Sequence, residues 1–197
     1  MHKHKQILIL MLVQDSINGW IIKLDMKYYF SFIISFIIST SIFSQADSSQ
    51  KKLSTDTVPA YKRLGTIPTF SIRQPDSSWF SRSQLKEGKP VLILYFSPDC
   101  GHCMLETEDM ISKMKSLKNL QIIMVTSREF EDMKNFSDHY KLDRFSNLKI
   151  GRDAQRTITK YYAVKTTPFS ALYNKEGKLL KSYDKGIDWP ELISLLK

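Results

Sequence analysis

Cysteine is scarce in this chain, whose 197 residues contain only Cys100 and Cys103. A disulfide-dense small protein and a four-cysteine metal site are therefore excluded. Glycine and proline number seven each, which excludes collagen-like and proline-rich architectures. Hydrophobic residues make up 42% and charged residues 25%, as in a folded chain rather than a disordered one. The net charge of +9 is scattered without a basic stripe, so we expect no nucleic-acid partner.

An uncharged apolar run occupies residues 28–43, and its 16 residues are fewer than the roughly 20 that a membrane span needs. Lys27 precedes this run, and Ser44-Gln45-Ala46 after it has small residues where a signal peptidase reads. We predict that translation begins at Met26, and that residues 1–45 are an over-extended start followed by a secretory signal peptide. An uncleaved membrane anchor is the alternative. Either way, the sequence predicts an exported protein.

The remaining chain divides into a polar linker, predicted at residues 46–65, and a domain at 66–197. Val91–Phe96 is a continuous apolar run, typical of a strand that is buried on both faces. Strands alternating with helices predict an α/β domain with a mixed central β-sheet flanked by helices. Further strands are predicted at 67–72, 121–125, 148–150, 169–173 and 178–183. Helices are predicted at 101–120, where the apolar residues Leu105, Ile111, Met114 and Leu117 recur at helical spacing, at 128–142, at 153–163 (capped by Asp153) and after Asp188, with Pro190 in its first turn.

The chemistry of the chain is expected at Cys100-Gly101-His102-Cys103, which follows the buried strand and opens a helix. Two residues between cysteines on a first helical turn bring both sulfur atoms within disulfide reach. The free N–H groups and the positive dipole end of the helix favour a thiolate at Cys100. That thiolate can attack a partner disulfide, and Cys103 can resolve the mixed disulfide. Gly101 adds no bulk that would block a protein partner.

Other uses of the two cysteines fit less well. A zinc half-site lacks two further ligands, since the other histidines are His139 and, in the predicted leader, His2 and His4. Haem attachment requires a histidine directly after the second cysteine, where Met104 stands. A structural disulfide would close too small a loop to add much stability. We therefore expect neither a metal nor a cofactor.

Together with Thr167-Pro168 before a strand and the order of strands and helices, the dithiol resembles that of the thioredoxin superfamily. Within it, the leader, Gly88-Lys89-Pro90 before the buried strand and Glu106 after the dithiol resemble the TlpA/ResA-like thiol–disulfide oxidoreductases of bacterial envelopes. The resemblance covers about residues 65–197. It implies a thioredoxin-like fold with an additional strand–helix insertion before a cis Pro168.

The same resemblance implies roles and partners. Cys100 would be the nucleophile and Cys103 the resolving thiol, with Thr167 and Pro168 binding substrate backbone beside them. The expected partners are disulfide-containing or dithiol proteins of the bacterial periplasm or envelope, with room for a membrane electron donor. This branch of the superfamily implies that the dithiol acts as a reductase.

The sequence departs from the thioredoxin pattern around the dithiol. Asp99 stands where a tryptophan commonly precedes the first cysteine, and Leu94 replaces the buried acid of minimal thioredoxins. Glu106 is then the nearby candidate for accepting the Cys103 proton, against the alternative of an ordinary exposed helix carboxylate. His102 is expected to stabilise the Cys100 thiolate by its charge, unless it is only a solvated turn residue, while Asp99 opposes it by repulsion.

Several functions therefore stay open. A Gly-His pair within the motif occurs in protein disulfide isomerases and favours oxidation or isomerisation at the same site. A peroxide-reducing thiol enzyme would carry threonine three residues before the reactive cysteine, and Ser97 is found there. A non-catalytic thioredoxin-like binding module is a further alternative, against which the intact cysteines argue. We expect disulfide exchange, with reduction as the favoured direction.

Overall fold

The computed structural model describes residues 58–197. The predicted leader and the predicted linker as far as residue 57 lie outside the described residues. No helix within 58–197 is long and apolar enough to cross a membrane. In chain order, the helices are α1 (Ala60–Leu64), α2 (Gly101–Lys113), α3 (Phe130–Tyr140), α4 (Thr157–Tyr162) and α5 (Trp189–Leu195), and the strands are β1 (Ser71–Arg73), β2 (Trp79–Ser81), β3 (Val91–Tyr95), β4 (Gln121–Thr126), β5 (Leu148–Arg152), β6 (Phe169–Tyr173) and β7 (Leu179–Tyr183).

The seven strands form one mixed sheet in the order β2-β1-β5-β4-β3-β6-β7. Strands β3, β4 and β5 run parallel to one another, whereas β6 and β7 add antiparallel strands on one side and β1 and β2 on the other. The parallel strands need crossover helices, which α2 and α3 supply. The first strand of this parallel group, β3, leads directly into α2, so the dithiol lies near the middle of the sheet.

Alternate residues of β3 enter two separate cores, because side chains of a strand point to opposite faces. Leu92 and Leu94 pack with helices α2, α3 and α5 on one face, and Ile93 and Tyr95 pack with α1 and α4 on the other. All five residues of β3 are buried. The prediction of a strand buried on both faces, inside a mixed sheet flanked by helices, is confirmed.

Two strand–helix units, β4–α3 and β5–α4, separate α2 from the cis peptide bond between Thr167 and Pro168. This arrangement agrees with the predicted thioredoxin-like fold that carries an additional strand–helix insertion before the cis proline. The terminal helix α5 also forms as predicted. Its N-cap is Asp188, whose side chain accepts a hydrogen bond from the Glu191 backbone N–H at 3.0 Å, and Pro190 lies in its first turn.

The predicted linker at 46–65 is wrong at its C-terminal end. Residues 60–64 form helix α1, which ends at Gly65 in the left-handed conformation that glycine adopts readily. Tyr61 of this helix is buried, with its ring centroid 5.3 Å from that of Tyr162 and 5.6 Å from that of Phe169. The buried Tyr61 side chain therefore anchors residues 60–64 to the hydrophobic core on this face of the sheet.

The predicted helix at 101–120 is too long, and its predicted apolar stripe is partly wrong. Helix α2 ends at Lys113, and turns occupy the residues up to Leu120. Leu105, expected on the core face, is 61% exposed. The buried face instead carries Cys103, Glu106, Thr107 and Met110. Cys103, in the first turn of the helix, points into the core. The residues at three- and four-residue spacing after it are therefore the ones that are buried.

Two shorter elements also differ from expectation. Helix α4 begins at Thr157, so Asp153 is not its N-cap; the buried Asp153 carboxylate instead accepts a hydrogen bond from the Ile158 backbone N–H at 2.7 Å. The strand predicted at 67–72 is shifted to β1 and pairs with β2, which the sequence did not predict. Strands of three residues are too short to show an alternating pattern.

Candidate active site

Cys100 lies at the N-cap of α2, where its sulfur accepts a hydrogen bond from the Cys103 backbone N–H with an Sγ–N distance of 3.4 Å. The turn after β3 is closed by a hydrogen bond from the Cys100 N–H to the Ser97 carbonyl, at 3.1 Å. Both cysteines are free thiols. Cys100 is partly exposed and Cys103 is fully buried, so a partner can reach only the first sulfur directly.

The cis Thr167–Pro168 bond lies beside this sulfur, with 3.6 Å between Cys100 Sγ and the Thr167 carbonyl oxygen. Strand register explains the juxtaposition, because β6 pairs antiparallel with β3 and Phe169 is the partner of Tyr95. The residues just before β6 therefore lie next to those just after β3. The structure brings Thr167 and Pro168 to the dithiol, where the sequence resemblance expected them.

The pKa values of the two thiols are shifted in opposite directions. Burial by itself raises the pKa of Cys100, but hydrogen bonds from the Cys103 thiol, the Thr167 hydroxyl and the backbone N–H groups of Cys103 and His102 outweigh it, so the pKa is lowered. Burial of the Cys103 thiol, together with the hydrogen bond that it donates to Cys100, raises its pKa to about 12. Cys100 is thus the thiolate-forming member of the pair, and Cys103 holds its proton.

Glu106 is buried one helical turn after Cys103, which overturns the alternative of an exposed helix carboxylate. Its Oε2 accepts a hydrogen bond from the Ile187 backbone N–H at 2.9 Å. Burial raises the pKa of this carboxyl, and the Ile187 hydrogen bond offsets part of the effect. The Trp189 side chain also lowers the pKa of Glu106, and within the described residues neither Glu106 Oε1 nor Trp189 Nε1 has another hydrogen-bond partner. No hydrogen bond joins Glu106 directly to Cys103.

Gly101 and His102 form the exposed tip of the motif. A Cβ atom placed on Gly101 would meet nothing within 4 Å, so this position is open to an incoming chain. Among the residues that the structure describes, none forms a hydrogen bond or ion pair with the His102 ring. The structure therefore brings the predicted site residues together at one end of the sheet, with Glu106 beneath the surface and His102 above it.

An ion pair that the sequence did not predict lies beside the dithiol. Arg128, in the loop between β4 and α3, contacts the Asp99 carboxylate with an Nη2–Oδ2 distance of 2.7 Å. The Ser97 hydroxyl donates a second hydrogen bond to the same carboxylate. The two residues are 29 positions apart, so no local sequence pattern indicates the pair. The signal that could have indicated it is the negative charge of Asp99 next to a reactive cysteine, which is a reason to search for a cation.

A groove with a volume of about 480 Å³ lies beside the dithiol, between the turn before α2 and helix α3. Its walls combine apolar and charged side chains, those of Pro98, Asp99, Met104, Arg128, Asp132, Asn135, Phe136, His139 and Tyr140. His139, considered above as a zinc ligand, lies on this wall with its ring against Tyr140. In residues 58–197, no three side chains of the metal-binding types come together.

A half-exposed sulfur at a helix N-terminus, a buried partner thiol and a cis proline place the chain among the thioredoxin-like proteins of the thiol–disulfide oxidoreductase type. The family model described as the AhpC/TSA family matches residues 65–183, and the chain belongs to this family. The match covers every described strand, the dithiol and the cis proline.

Known proteins similar to the chain agree with this class. Protein disulfide-isomerase erp38 of Neurospora crassa is 26% identical over 112 residues, which are 57% of this chain and 25% of that relative. The chain thus spans about a quarter of the curated relative that it matches. The solution structure of a protein of Neisseria meningitidis described as a thioredoxin is 25% identical, with a TM-score of 0.55 over 65% of this chain and 85% of the other. A thiol peroxidase of Chromobacterium violaceum shares the fold at 17% identity, with a TM-score of 0.57 over 66% and 83% of the two chains.

Proposed function

We propose that this protein exchanges disulfides with exported proteins through the Cys100–Cys103 dithiol, acting as a reductase. The observation that carries the proposed exchange is the asymmetry of the two thiols, one partly exposed with a lowered pKa and the other buried with a raised pKa. The direction of the exchange, reduction of the partner, rests on the resemblance to the TlpA/ResA-like oxidoreductases. An attacking thiol must be ionised and accessible, whereas a resolving thiol must wait until the mixed disulfide has formed.

The reaction proceeds in two displacements. The Cys100 thiolate attacks one sulfur of the partner disulfide, the partner S–S bond breaks, and the departing partner thiolate takes a proton from solvent. Cys103 then loses its proton and attacks the Cys100 sulfur, which releases the second partner thiolate and leaves a Cys100–Cys103 disulfide. Two electrons pass from the dithiol to the partner, so a dithiol donor must reduce the protein before the next cycle.

The second displacement needs a base, because the pKa of Cys103 is about 12. Glu106 lies on the same buried face of α2 and is the nearest buried carboxyl along that helix. Its raised pKa favours proton acceptance over an ordinary surface carboxylate. As the two side chains share no direct hydrogen bond, we propose that the proton passes through an intervening water molecule.

Substitution of the two cysteines tests the proposal. Cys100→Ser should abolish exchange, because the buried Cys103 can neither ionise nor be reached by the partner. Cys103→Ser should accumulate mixed disulfides between Cys100 and partner proteins, since nothing resolves them. The measurement is non-reducing electrophoresis with mass spectrometry of the trapped species, beside turnover of a model disulfide. Equal trapping by both variants, or turnover without Cys100, would contradict the assignment.

The partners that we propose are disulfide-containing or dithiol proteins of a bacterial periplasm or envelope, with a membrane protein as electron donor. The predicted leader at 1–45 supports export, and the exposed Gly101, where an added Cβ would meet nothing within 4 Å, supports access of a protein chain to Cys100. Oxidation or isomerisation of partners would use the same two sulfurs. The reduction potential of the Cys100–Cys103 couple distinguishes these directions.

Peroxide reduction is a second candidate, and the AhpC/TSA family match favours it. Against it, the Ser97 hydroxyl three residues before Cys100 donates its hydrogen bond to Asp99 rather than to the reactive sulfur. Consumption of hydrogen peroxide by the reduced protein, followed with a dithiol regenerant, measures this activity. We expect turnover of a protein disulfide to exceed it.

A further inference from the structure

Two side chains hold the carboxylate that lies next to the nucleophile. Asp99 directly precedes Cys100, and its side chain accepts hydrogen bonds from Ser97 and Arg128. These contacts, the Ser97 hydrogen bond first, lower the pKa of Asp99, so it is ionised at neutral pH. A bare carboxylate at this position would repel the Cys100 thiolate and thus disfavour the reactive form of the sulfur.

The loop that carries Arg128 is itself fixed at several points. The Arg128 N–H donates to the Thr126 hydroxyl at 3.2 Å, and its carbonyl accepts from Arg152 Nε at 2.8 Å. Arg152 also binds both carboxylate oxygens of Glu129, at 2.9 and 3.0 Å. Because Arg152 ends strand β5, this bracing ties the loop to the sheet. The guanidinium of Arg128 is therefore held on the Asp99 side of the dithiol.

We propose that Arg128 is a positioning residue for the dithiol, which neutralises Asp99, draws its carboxylate away from the Cys100 sulfur and so keeps the thiolate available for attack. The effect acts on Cys100 through Asp99, and Arg128 itself touches no reacting atom. This role of Arg128 rests on the proposed function only because Cys100 is taken as the attacking thiol. By stabilising the thiolate it favours the reduced dithiol, since the disulfide carries no anion.

Other charged and titratable groups near the pair must be kept constant in any test. His102, Cys103 and Glu106 lie on α2, and Asp132 and His139 of α3 line a groove together with Asp99 and Arg128. None of them forms a salt bridge with Asp99 in the described part of the chain, where its ionic partner is Arg128. Replacing Arg128 alone therefore isolates the pair.

The experiment measures the pKa of Cys100 from the pH dependence of its alkylation by iodoacetamide. This reagent is uncharged and cannot reach the buried Cys103. Arg128→Gln should raise the pKa by roughly half a unit, the scale of one exposed unit charge a few ångströms away, and so lower the thiolate fraction about threefold below the pKa. Arg128→Lys keeps the charge and should retain the wild-type value. Asp99→Asn removes the repelling charge and should lower the pKa of Cys100.

Lys134→Gln provides the matched control, because Lys134 also forms a surface ion pair, with Asp138 at 2.9 Å, but on the body of α3. It should leave the pKa of Cys100 unchanged. An unchanged pKa in Arg128→Gln, or an equal shift in Lys134→Gln, would overturn the inference. If Arg128→Gln fails to fold, an unchanged pKa in Asp99→Asn overturns it instead. If wild-type exchange proves absent while these pKa shifts occur, the proposed function fails and the inference on Arg128 stands.

Discussion

At the scale of a single residue, we predict that His102 affects the dithiol in two separable ways. The first is a positive charge on its exposed ring, and the second is its backbone N–H, which donates toward the Cys100 sulfur. His102→Gln removes only the charge, and His102→Pro removes the charge and the N–H while still fitting the first helical turn. Both should raise the pKa of Cys100 and lower the reduction potential, the second variant more.

The size of this effect follows from the redox arithmetic. Loss of about 1.4 kcal/mol of thiolate stabilisation corresponds to roughly 30 mV for a two-electron couple. Equilibration of each variant against a glutathione buffer measures the potential, with thiol titration alongside. If both variants retain the wild-type potential and Cys100 pKa, His102 is a bystander and the main sequence argument for an oxidising role disappears.

Glu106 predicts how the stability of the protein depends on pH. Burial raises the pKa of its carboxyl in the folded chain, so the unfolded chain loses this proton at lower pH than the folded chain does. The stabilising contribution of the protonated form is therefore complete below the unfolded pKa and is lost as the pH rises through the folded pKa. Glu106→Gln should remove this part of the pH dependence and stabilise the protein at neutral pH relative to wild type.

Urea unfolding at a series of pH values, in the reduced protein, measures the effect. Glu108→Gln is the matched control, since Glu108 is an exposed carboxylate on the same helix. The wild-type free energy of unfolding should fall as the pH rises from the unfolded-state pKa of Glu106 through its folded-state pKa. If it does not fall, the Ile187 hydrogen bond fully offsets the effect of burial on the Glu106 carboxyl. Glu106→Gln should also slow resolution of the mixed disulfide if the carboxyl accepts the Cys103 proton.

At the scale of the elements, Gly151 determines how closely β1 approaches β5. A Cβ atom at this position would lie 2.9 Å from the Arg73 carbonyl oxygen and 2.9 Å from Ile72 Cβ, closer than non-bonded atoms allow. Gly151→Ala should therefore destabilise the protein by about 1–3 kcal/mol, because β1 must shift. Chemical denaturation tests this, with Gly101→Ala, whose added Cβ meets nothing, as the stability control. A change of equal size in both variants would mean that the close packing at β1 does not matter.

The elements that the sequence predicted best are those with long, uniform patterns. Residues 91–96 are apolar throughout, as are residues 122–125, and both segments are strands within one residue of the predicted bounds. Strand β2 was missed, and helix α1 was taken as part of the linker. Both elements are only three to five residues long, which is too short to show a periodic pattern of apolar residues. The end of α2 was misplaced since Met114 and Leu117 continue the apolar spacing into buried turns.

At the scale of the whole molecule, export is the testable claim. The mature protein should start near Ala46, because Lys27, the uncharged run and the small residues before Ala46 have the organisation of a signal peptide. Intact-mass analysis of protein recovered from the cell envelope measures the mature N-terminus. A species that retains residues 28–43 would mean that this segment is an anchor instead. Replacing Ser44 with a bulky residue should block cleavage without changing the dithiol.

The candidate site shows what a sequence reveals and what only the folded chain can add. The dithiol and Thr167-Pro168 are local motifs, so their positions were predictable. The burial of Glu106 depends on Ile187, 81 positions away, and the neutralisation of Asp99 depends on Arg128, 29 positions away. Local patterns carry no information on contacts of that separation, and the repulsion that Asp99 exerts on Cys100 becomes weaker once its partner Arg128 is known.

The hydrogen bonds to the Cys100 sulfur exist only in the folded chain, and this has a consequence for folding itself. Oxidation and unfolding form a closed thermodynamic cycle, so an interaction that favours the folded dithiol over the folded disulfide resists unfolding of the reduced protein by the same free energy. Oxidation of the dithiol by a partner therefore removes this contribution to the conformational stability of the protein, and reduction by the donor restores it.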